Sequence, residues 1–513
     1  MGAGDGGGGG ASTPRSAVSD NDEVCAPKTP PPQVCAALTE THGDGIGAAP
    51  QLLRRKMSGM AAAFEAGTWD PKMQMLEPTI NVLVYFSCAP SLDVLAAAVD
   101  RHLWPSCRFS CCMDNGYWVS RHTHMDRSYH FRELEVESED AIDEWVQTAM
   151  MQPLDKNYPV WRVTVLRAPE PDRSALFWQL HHSIGDGLSL LFAFSPMMGC
   201  AGGDPLAKIP LPSALLPPEK RKAAAGARGG GGGGKPAQAR GCCRAPCAFV
   251  RGALTPALVK HDTELRINPP VAQRSPFLPF NGRRAFTRFP RVKMDTVKSI
   301  KDQHSCSVND VLMAALTGAL RRYGAEVCGD PLLKSKSARI DFKSMVMLAL
   351  PRPVDMGDLA GSLTNKMLFV SCPLPIDEPT ALGRLQRTIA AFANMKSSAY
   401  IAGVAGLTDF VKGVAPTSVL QKTASETFSK HSLLVTNVPS TTVPITFPKE
   451  GGEQVSETHM VFPNVIPQVS IITYNGFVNA NIVADPELFP TAEVLGEMFQ
   501  QEFEALASCD LVL

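Results

Sequence analysis

Apolar residues recur along this chain with two periods, one fitting strands and one fitting helices. Residues 80–86, Ile80-Asn81-Val82-Leu83-Val84-Tyr85-Phe86, are rich in β-branched and aromatic types and predict a strand. Leu92, Leu95, Ala96 and Val99 share one face at helical spacing and predict a helix over 92–103. Val163 and Val165 alternate with Arg162 and Thr164, which predicts a strand over 161–167 with one polar face. A further apolar run, Ala175 to Leu180, ends on His181-His182. In the second half, Val308, Val311, Leu312, Ala315, Leu316, Ala319, Leu320 and Tyr323 form one stripe. Ser307 stands in front of it as an N-cap, with Asp310 three residues on. Strands are expected at 344–350, 367–372 and 469–474, and a closing helix at 493–507. Strands mixed with helices in both halves predict an α/β layered fold.

The pattern breaks in two places. Residues 1–48 are rich in Gly, Pro and Ser, lack apolar surface, and are expected to be a disordered tail. Within residues 217–262, Arg228 is followed by six glycines, and 219–251 carries eight Lys or Arg against one Glu. This stretch reads as a flexible basic linker. It divides the chain into an N-terminal part, 49–216, and a C-terminal part, 263–513.

Lys and Arg total 49 against 50 Asp and Glu, so no global basic excess points to nucleic acid. The 14 cysteines lack paired CxxC spacing, and no secretory apolar segment opens the chain, so a reducing compartment is expected and a metal is not. The longest apolar run, 188–200, is interrupted by Ser195-Pro196 and falls short of the roughly 20 residues that a membrane span needs. Gly6 occupies the place where an N-myristoylation motif requires Ser or Thr. Whether the tail targets an organelle, and whether Cys242, Cys243 and Cys247 accept lipid, stay open.

The chemistry concentrates in His181-His182-Ser183-Ile184-Gly185-Asp186-Gly187, an HHxxxDG segment. A strand that stops on a histidine and turns places an imidazole at a structural edge that a substrate can reach. Imidazole titrates near neutrality, so it can accept a proton from a hydroxyl. The structural alternative is a half-buried histidine, with Asp186 serving only as an N-cap and Gly187 easing the turn.

Three further segments accompany it in order. These are Pro153-Leu154-Asp155 with Pro159 and Trp161, then Asn309-Asp310-Val311 leading to Leu320-Arg321-Arg322-Tyr323, then Asn437-Val438-Pro439 with Tyr474-Asn475-Gly476. Together they resemble the wax ester synthase/diacylglycerol acyltransferase family, plant-type members in particular, over roughly residues 50–508. That family belongs with the chloramphenicol acetyltransferase-like enzymes. The resemblance implies two similar subdomains joined by a crossover linker, with an active-site channel between them. It implies acyl transfer from acyl-CoA, as co-substrate, to a fatty alcohol or diacylglycerol, with no bound cofactor. His182 is then the general base, His181 a packing or positioning residue, and Asp186 a loop-holding acid paired to an arginine, with Arg352 the candidate. Gly187 belongs to the same loop. Asn309 and Asp310 are candidates for contact with substrate or oxyanion, with helix capping as the alternative. Peripheral attachment to the cytosolic face of endoplasmic reticulum or lipid droplets follows from lipid substrates without a span, and the basic stretch 219–251 is a candidate tether.

The family's NLRP-like stretch appears as Ala349-Leu350-Pro351-Arg352-Pro353, without its Asn, and Asn437-Val438-Pro439-Ser440-Thr441 lacks a Gly. Acceptor, chain length and oligomeric state therefore stay open. Two other readings stand beside this one. One is an HHxxxDG acyltransferase for a soluble alcohol or amine. The other is a lipid-binding protein of the same fold without turnover. A stripe of Tyr400, Ile401, Val404, Leu407, Phe410, Val411 and Val414 reads as core packing, with a membrane-facing or acyl-tunnel helix as the alternative.

Overall fold

The structure is a computed structural model that describes residues 54–67, 77–210, 259–268, 282–335, 337–350, 352, 362–395, 400–406 and 416–509. The tail 1–48 and the basic stretch 219–251 lie outside the described residues. The first half contributes strands β1 (Arg54–Lys56), β2 (Thr79–Phe86), β3 (Cys112–Asp114), β4 (Tyr117–Val119), β5 (Phe131–Glu135), β6 (Trp161–Arg167), β7 (Ser174–His181) and β8 (Gly199–Cys200). The second half contributes β9 (Ala285–Arg288), β10 (Val292–Lys293), β11 (Lys343–Ala349), β12 (Met367–Pro373), β13 (Leu433–Pro439), β14 (Ile445–Phe447), β15 (Glu453–Val461), β16 (Gln468–Tyr474) and β17 (Phe477–Ala484).

These strands build two seven-stranded sheets and a small three-stranded one, β1-β4-β3. The first large sheet runs β5-β6-β7-β2-β15-β14-β8. The second runs β10-β17-β16-β13-β11-β12, with β9 also paired to β17. The division between sheets therefore does not coincide with the expected division of the chain at 217–262. β14 and β15 leave the second half and enter the first sheet, where β15 pairs with β2 from Val455↔Phe86 to Val461↔Asn81. The C-terminal end of the expected linker is also already packed, since Asp262 accepts from Lys343 N at 3.1 Å and pairs with its ammonium group.

The periodic segments fold where their patterns placed them. The helix Val308–Arg322 is capped by a reciprocal box in which Ser307 Oγ accepts from Asp310 N and Asp310 returns to Ser307 N. The strand at 161–167 forms, and its expected polar face is buried. Arg162 is buried and donates from Nε to Gln179 Oε1 at 2.6 Å. Gln179 Nε2 in turn donates to Ala149 O at 2.9 Å, which satisfies a carbonyl at the end of helix Glu139–Ala149. Alternation predicted the strand correctly, but the cover supplied by that helix turned a polar face into a hydrogen-bonded interior.

The first sheet is covered on both faces. Leu83, Tyr85, Leu166, Ala175 and Phe177 face helix Glu139–Ala149 together with Phe286 and Val483 of the second half. Ile80, Val163, Val165, Leu176, Trp178 and Leu180 face the other way, toward helices Leu92–His102 and Gly187–Phe194. The halves are also joined by charge. Arg288 on β9 donates to Asp143 Oδ2 at 2.7 Å and to Glu139 Oε1 at 3.1 Å, and Arg173 donates to Glu139 and to Glu457 Oε2 at 2.7 Å. Of the apolar stripe at 400–414, Tyr400 and Val404 are buried in the core of the second half; residues 407–415 lie outside the described residues. No helix among the described residues is long and apolar enough to cross a membrane.

Candidate active site

The HHxxxDG segment begins where β7 stops. His181 is the last residue paired to β2, opposite Thr79, and His182 N still donates to Pro78 O at 2.7 Å. Side chains alternate along a strand, so Trp178, Leu180 and His182 share one face while Gln179 and His181 share the other. The turn that follows is pinned from three sides. Arg108 Nη1 donates to Ser183 O (2.9 Å) and Ile184 O (2.8 Å), Asn365 Nδ2 donates to His182 O (2.9 Å), and Asp186 N donates to Thr364 O (3.1 Å).

His182 is buried, and its ring stacks on Phe64 at 4.3 Å between centroids and 21° between planes. Asn365 fixes the tautomer. Its Nδ2 is committed to backbone carbonyl oxygens, so Oδ1 faces His182 Nδ1 at 3.2 Å and accepts the proton that Nδ1 carries. Nε2 is left with its lone pair and has no partner among the described residues. Burial lowers the His182 pKa below the ordinary histidine value, against an opposing pull from Asp186 and a smaller one from Asn365, so the ring is neutral at pH 7. A neutral imidazole with a free Nε2 is a competent base.

The ring borders a cavity of about 60 Å³ at the junction of the two sheets. Phe64, Glu77, Pro78 and Thr79 line it from the first half, and Met347, Phe369, Leu434 and Gln468 line it from the second. A second cavity, about 130 Å³, lies on the His182 side of the first sheet. Its walls are apolar almost throughout: Ile80, Val82, Val84, Trp178 and Leu180 from the sheet, Leu190, Leu191 and Phe194 from the helix, and Val455 and Met460 from β15. Gly187 lies on its wall, where an added Cβ would meet Met460 Cε at 3.1 Å and Val438 Cγ2 at 3.6 Å.

The other motif residues are placed differently. His181 is buried on the opposite face, with Nδ1 2.8 Å from Ser183 Oγ and 3.2 Å from Ser183 N, and burial pushes its pKa down to about 3. It borders neither cavity described here. Asp186 is buried and fully occupied. It caps helix Gly187–Phe194 through Ser189 N (2.9 Å), accepts from Lys366 N (2.9 Å), and takes both oxygens to Arg352 Nη1 (2.6 and 2.7 Å). Arg352 also donates to Ser189 Oγ and to Lys366 O, so one ion pair ties the motif helix to the approach of β12. Asn309 is exposed and accepts from Asn437 Nδ2 at 2.7 Å, which brings two of the sequence segments together; neither residue lines the cavity beside His182. Asp310 serves the capping box. Pro153-Leu154-Asp155 is structural: Leu154 is buried and Asp155 N donates to the Tyr129 hydroxyl oxygen at 2.9 Å.

Phe64, Arg108, Asn365 and Gln468 were not singled out in the sequence. Each reaches the site through the fold, Asn365 from 183 positions away.

Comparison with known proteins places the chain in a family. Residues 104–312 match the model of the wax ester synthase/diacylglycerol acyltransferase catalytic domain, and residues 363–507 match that of the WS/DGAT C-terminal domain. A Mycobacterium tuberculosis protein named "Putative diacyglycerol O-acyltransferase" is 24% identical over 373 residues, covering 70% of this chain and 69% of that protein. Wax ester synthase/diacylglycerol acyltransferase 7 of Arabidopsis thaliana is 27% identical over 152 residues, 28% of this chain and 30% of that protein. Among solved structures, the wax ester synthase/diacylglycerol acyltransferase of Marinobacter aquaeolei VT8 superposes with a TM-score of 0.56 at 16% identity, over 88% of this chain and 98% of that one. The first condensation domain of the calcium-dependent antibiotic synthetase gives a TM-score of 0.53 at 11% identity, over 89% of this chain and 96% of that one. These structures share the two-domain fold expected from the sequence, and the chain belongs to the wax ester synthase/diacylglycerol acyltransferase family.

Proposed function

We propose that this acyltransferase moves a long-chain acyl group from acyl-CoA to a lipid alcohol, either a fatty alcohol or diacylglycerol, with His182 as general base. The observation that carries the reading is the proton arrangement at His182. Nδ1–H is held by Asn365, Nε2 is free, and the ring is neutral by burial. The alcohol oxygen attacks the thioester carbonyl carbon as Nε2 takes its proton. The new C–O bond gives a tetrahedral oxyanion, whose collapse breaks the C–S bond and releases the CoA thiolate, which takes the proton back. The thioester is already activated, so no side-chain nucleophile is required.

The apolar cavity favours hydrocarbon substrates over the soluble-acceptor alternative. A wall of this composition offers an acyl or alkyl chain the transfer free energy of about 25 cal/mol per Å² buried and offers a soluble amine few polar partners. Lipid substrates require visits to a membrane surface; peripheral attachment is part of the proposal. The test is purified protein with labelled palmitoyl-CoA against hexadecanol, dioleoylglycerol and a panel of soluble alcohols and amines. Labelled wax ester or triacylglycerol, lost in His182→Ala, is expected. Binding of palmitoyl-CoA with no ester product from any acceptor would favour the lipid-binding alternative.

A further inference from the structure

The cavity beside His182 has a second polar wall, and one donor on it has no partner among the described residues. Gln468 opens β16, paired with Leu434 on one side and Val483 on the other, and is 1% exposed. Its amide orientation follows from a chain of contacts. Asn464 Oδ1 accepts from Val465 N at 3.0 Å, so Asn464 Nδ2 faces Gln468 and donates to its Oε1 at 3.1 Å. Gln468 Nε2 is thereby a donor, and among the described residues it has no acceptor. Buried amide donors are nearly always paired, and an exception calls for a reason.

Its surroundings suggest one. Gln468 and His182 line the same cavity, one from each sheet. Glu77, which lines the cavity from the first half, is held by Lys156 at 2.6 Å and as a carboxylate cannot donate. Asn309, the donor that the sequence offered for an oxyanion, is exposed and bonded to Asn437. A base that draws an alcohol onto a thioester creates negative charge on the carbonyl oxygen, and preorganised N–H donors stabilise such charge. We propose that Gln468 Nε2 donates to the thioester carbonyl oxygen and to the oxyanion it becomes, making Gln468 a catalytic residue contributed by the second half of the molecule. This rests on the acyl-transfer reading above. It also gives the second sheet a part in the chemistry.

Gln468→Met keeps the length of the side chain and removes the donor. Gln468→Glu keeps the acceptor toward Asn464 and also removes the donor, and serves if the Met variant fails to fold. Losing one oxyanion donor typically costs about 10²–10³ in kcat. Both variants are therefore expected to lose about 10²-fold or more in kcat, with KM for palmitoyl-CoA changed less than about threefold. A binding measurement separates this from a structural role. Wild type should hold palmitoyl-CoA more tightly than the S-hexadecyl-CoA thioether, which lacks the carbonyl oxygen, and the variants should bind the two alike. An active wild type whose folded variants keep kcat within about threefold and keep the carbonyl preference overturns the assignment alone. A wild type that transfers no acyl group overturns the proposed function and this assignment with it.

Discussion

The two faces of β7 carry adjacent histidines to opposite fates. On one face, Phe177 and Gln179 lead to His181, and helix Glu139–Ala149 with residues of the second half closes over the sheet. On the other, Trp178 and Leu180 lead to His182, and the packing leaves two cavities. Both rings are buried and both are held neutral by desolvation. Burial and a depressed pKa therefore do not tell the two histidines apart; the space in front of the ring does.

The sharpest way to break this comparison is to truncate each ring. His182→Ala is expected to lower kcat/KM by about 10²–10⁴, the usual worth of general-base catalysis, while circular dichroism and the thermal midpoint stay near wild type. His181→Ala should instead act on stability, by about 1–3 kcal/mol, since Ser183 loses its buried partner. Denaturant titration beside steady-state kinetics reads both. Equal rate losses would erase the distinction between the faces.

Asp186→Ala comes next. It leaves Arg352 buried without its anion, a change that costs about 3–5 kcal/mol in buried pairs. Arg352→Ala should cost about as much, and the double variant less than the sum, measurable as a coupling energy in a double-mutant cycle.

Acid acts on both faces together. His181 titrates at about 3, and His130 and His431 at about 4, whereas an unfolded histidine titrates near 6.5. Between those values the unfolded chain binds more protons than the folded one. Stability is thus fully present above pH 6.5 and falls as pH drops toward 4, by up to about 1.4 kcal/mol per pH unit per histidine. Activity should follow His182, staying level from pH 8 through 6.5 and falling only in more acidic buffer, because its pKa is lowered. Urea midpoints and kcat/KM from pH 4 to 8 would separate the two.

The smallest effect is expected at Gly187. Gly187→Leu places a side chain in the apolar cavity, against Met460 and Val438. Long chains should lose about tenfold in kcat/KM relative to short ones, the value of roughly two methylenes of burial. A chain-length series from C8 to C18 checks it, and an unchanged profile would mean the cavity takes no substrate.

Much of the fold was legible because its signals are local. Periodicity found β2, β6, β12 and helix Val308–Arg322 to within a residue or so, and the Ser307–Asp310 box announced itself at fixed spacing. The Asp186–Arg352 pair was legible only through family resemblance. The missed features are those that depend on distant partners. Asn365 and Gln468 look like ordinary polar residues beside strands until the chain brings them to His182. Alternation showed that β6 has a polar face but not that a helix covers it, because alternation reports sidedness, not what covers a side. β15 carries no mark in its sequence of the sheet it joins.

That last strand has a consequence for how the molecule is made. β15 sits between β2 and β14 in the first sheet, yet it is the last of that sheet's strands to leave the ribosome. Until residue 461 emerges, β2 offers an open row of amide and carbonyl groups, and the cavity that Val455 and Met460 later wall off stays unroofed. The first sheet is thus finished by the second half of the chain. A fragment cut at the basic linker would be an invitation to aggregate rather than a domain, and co-expressed halves should recover solubility only when the second carries residues 445–461.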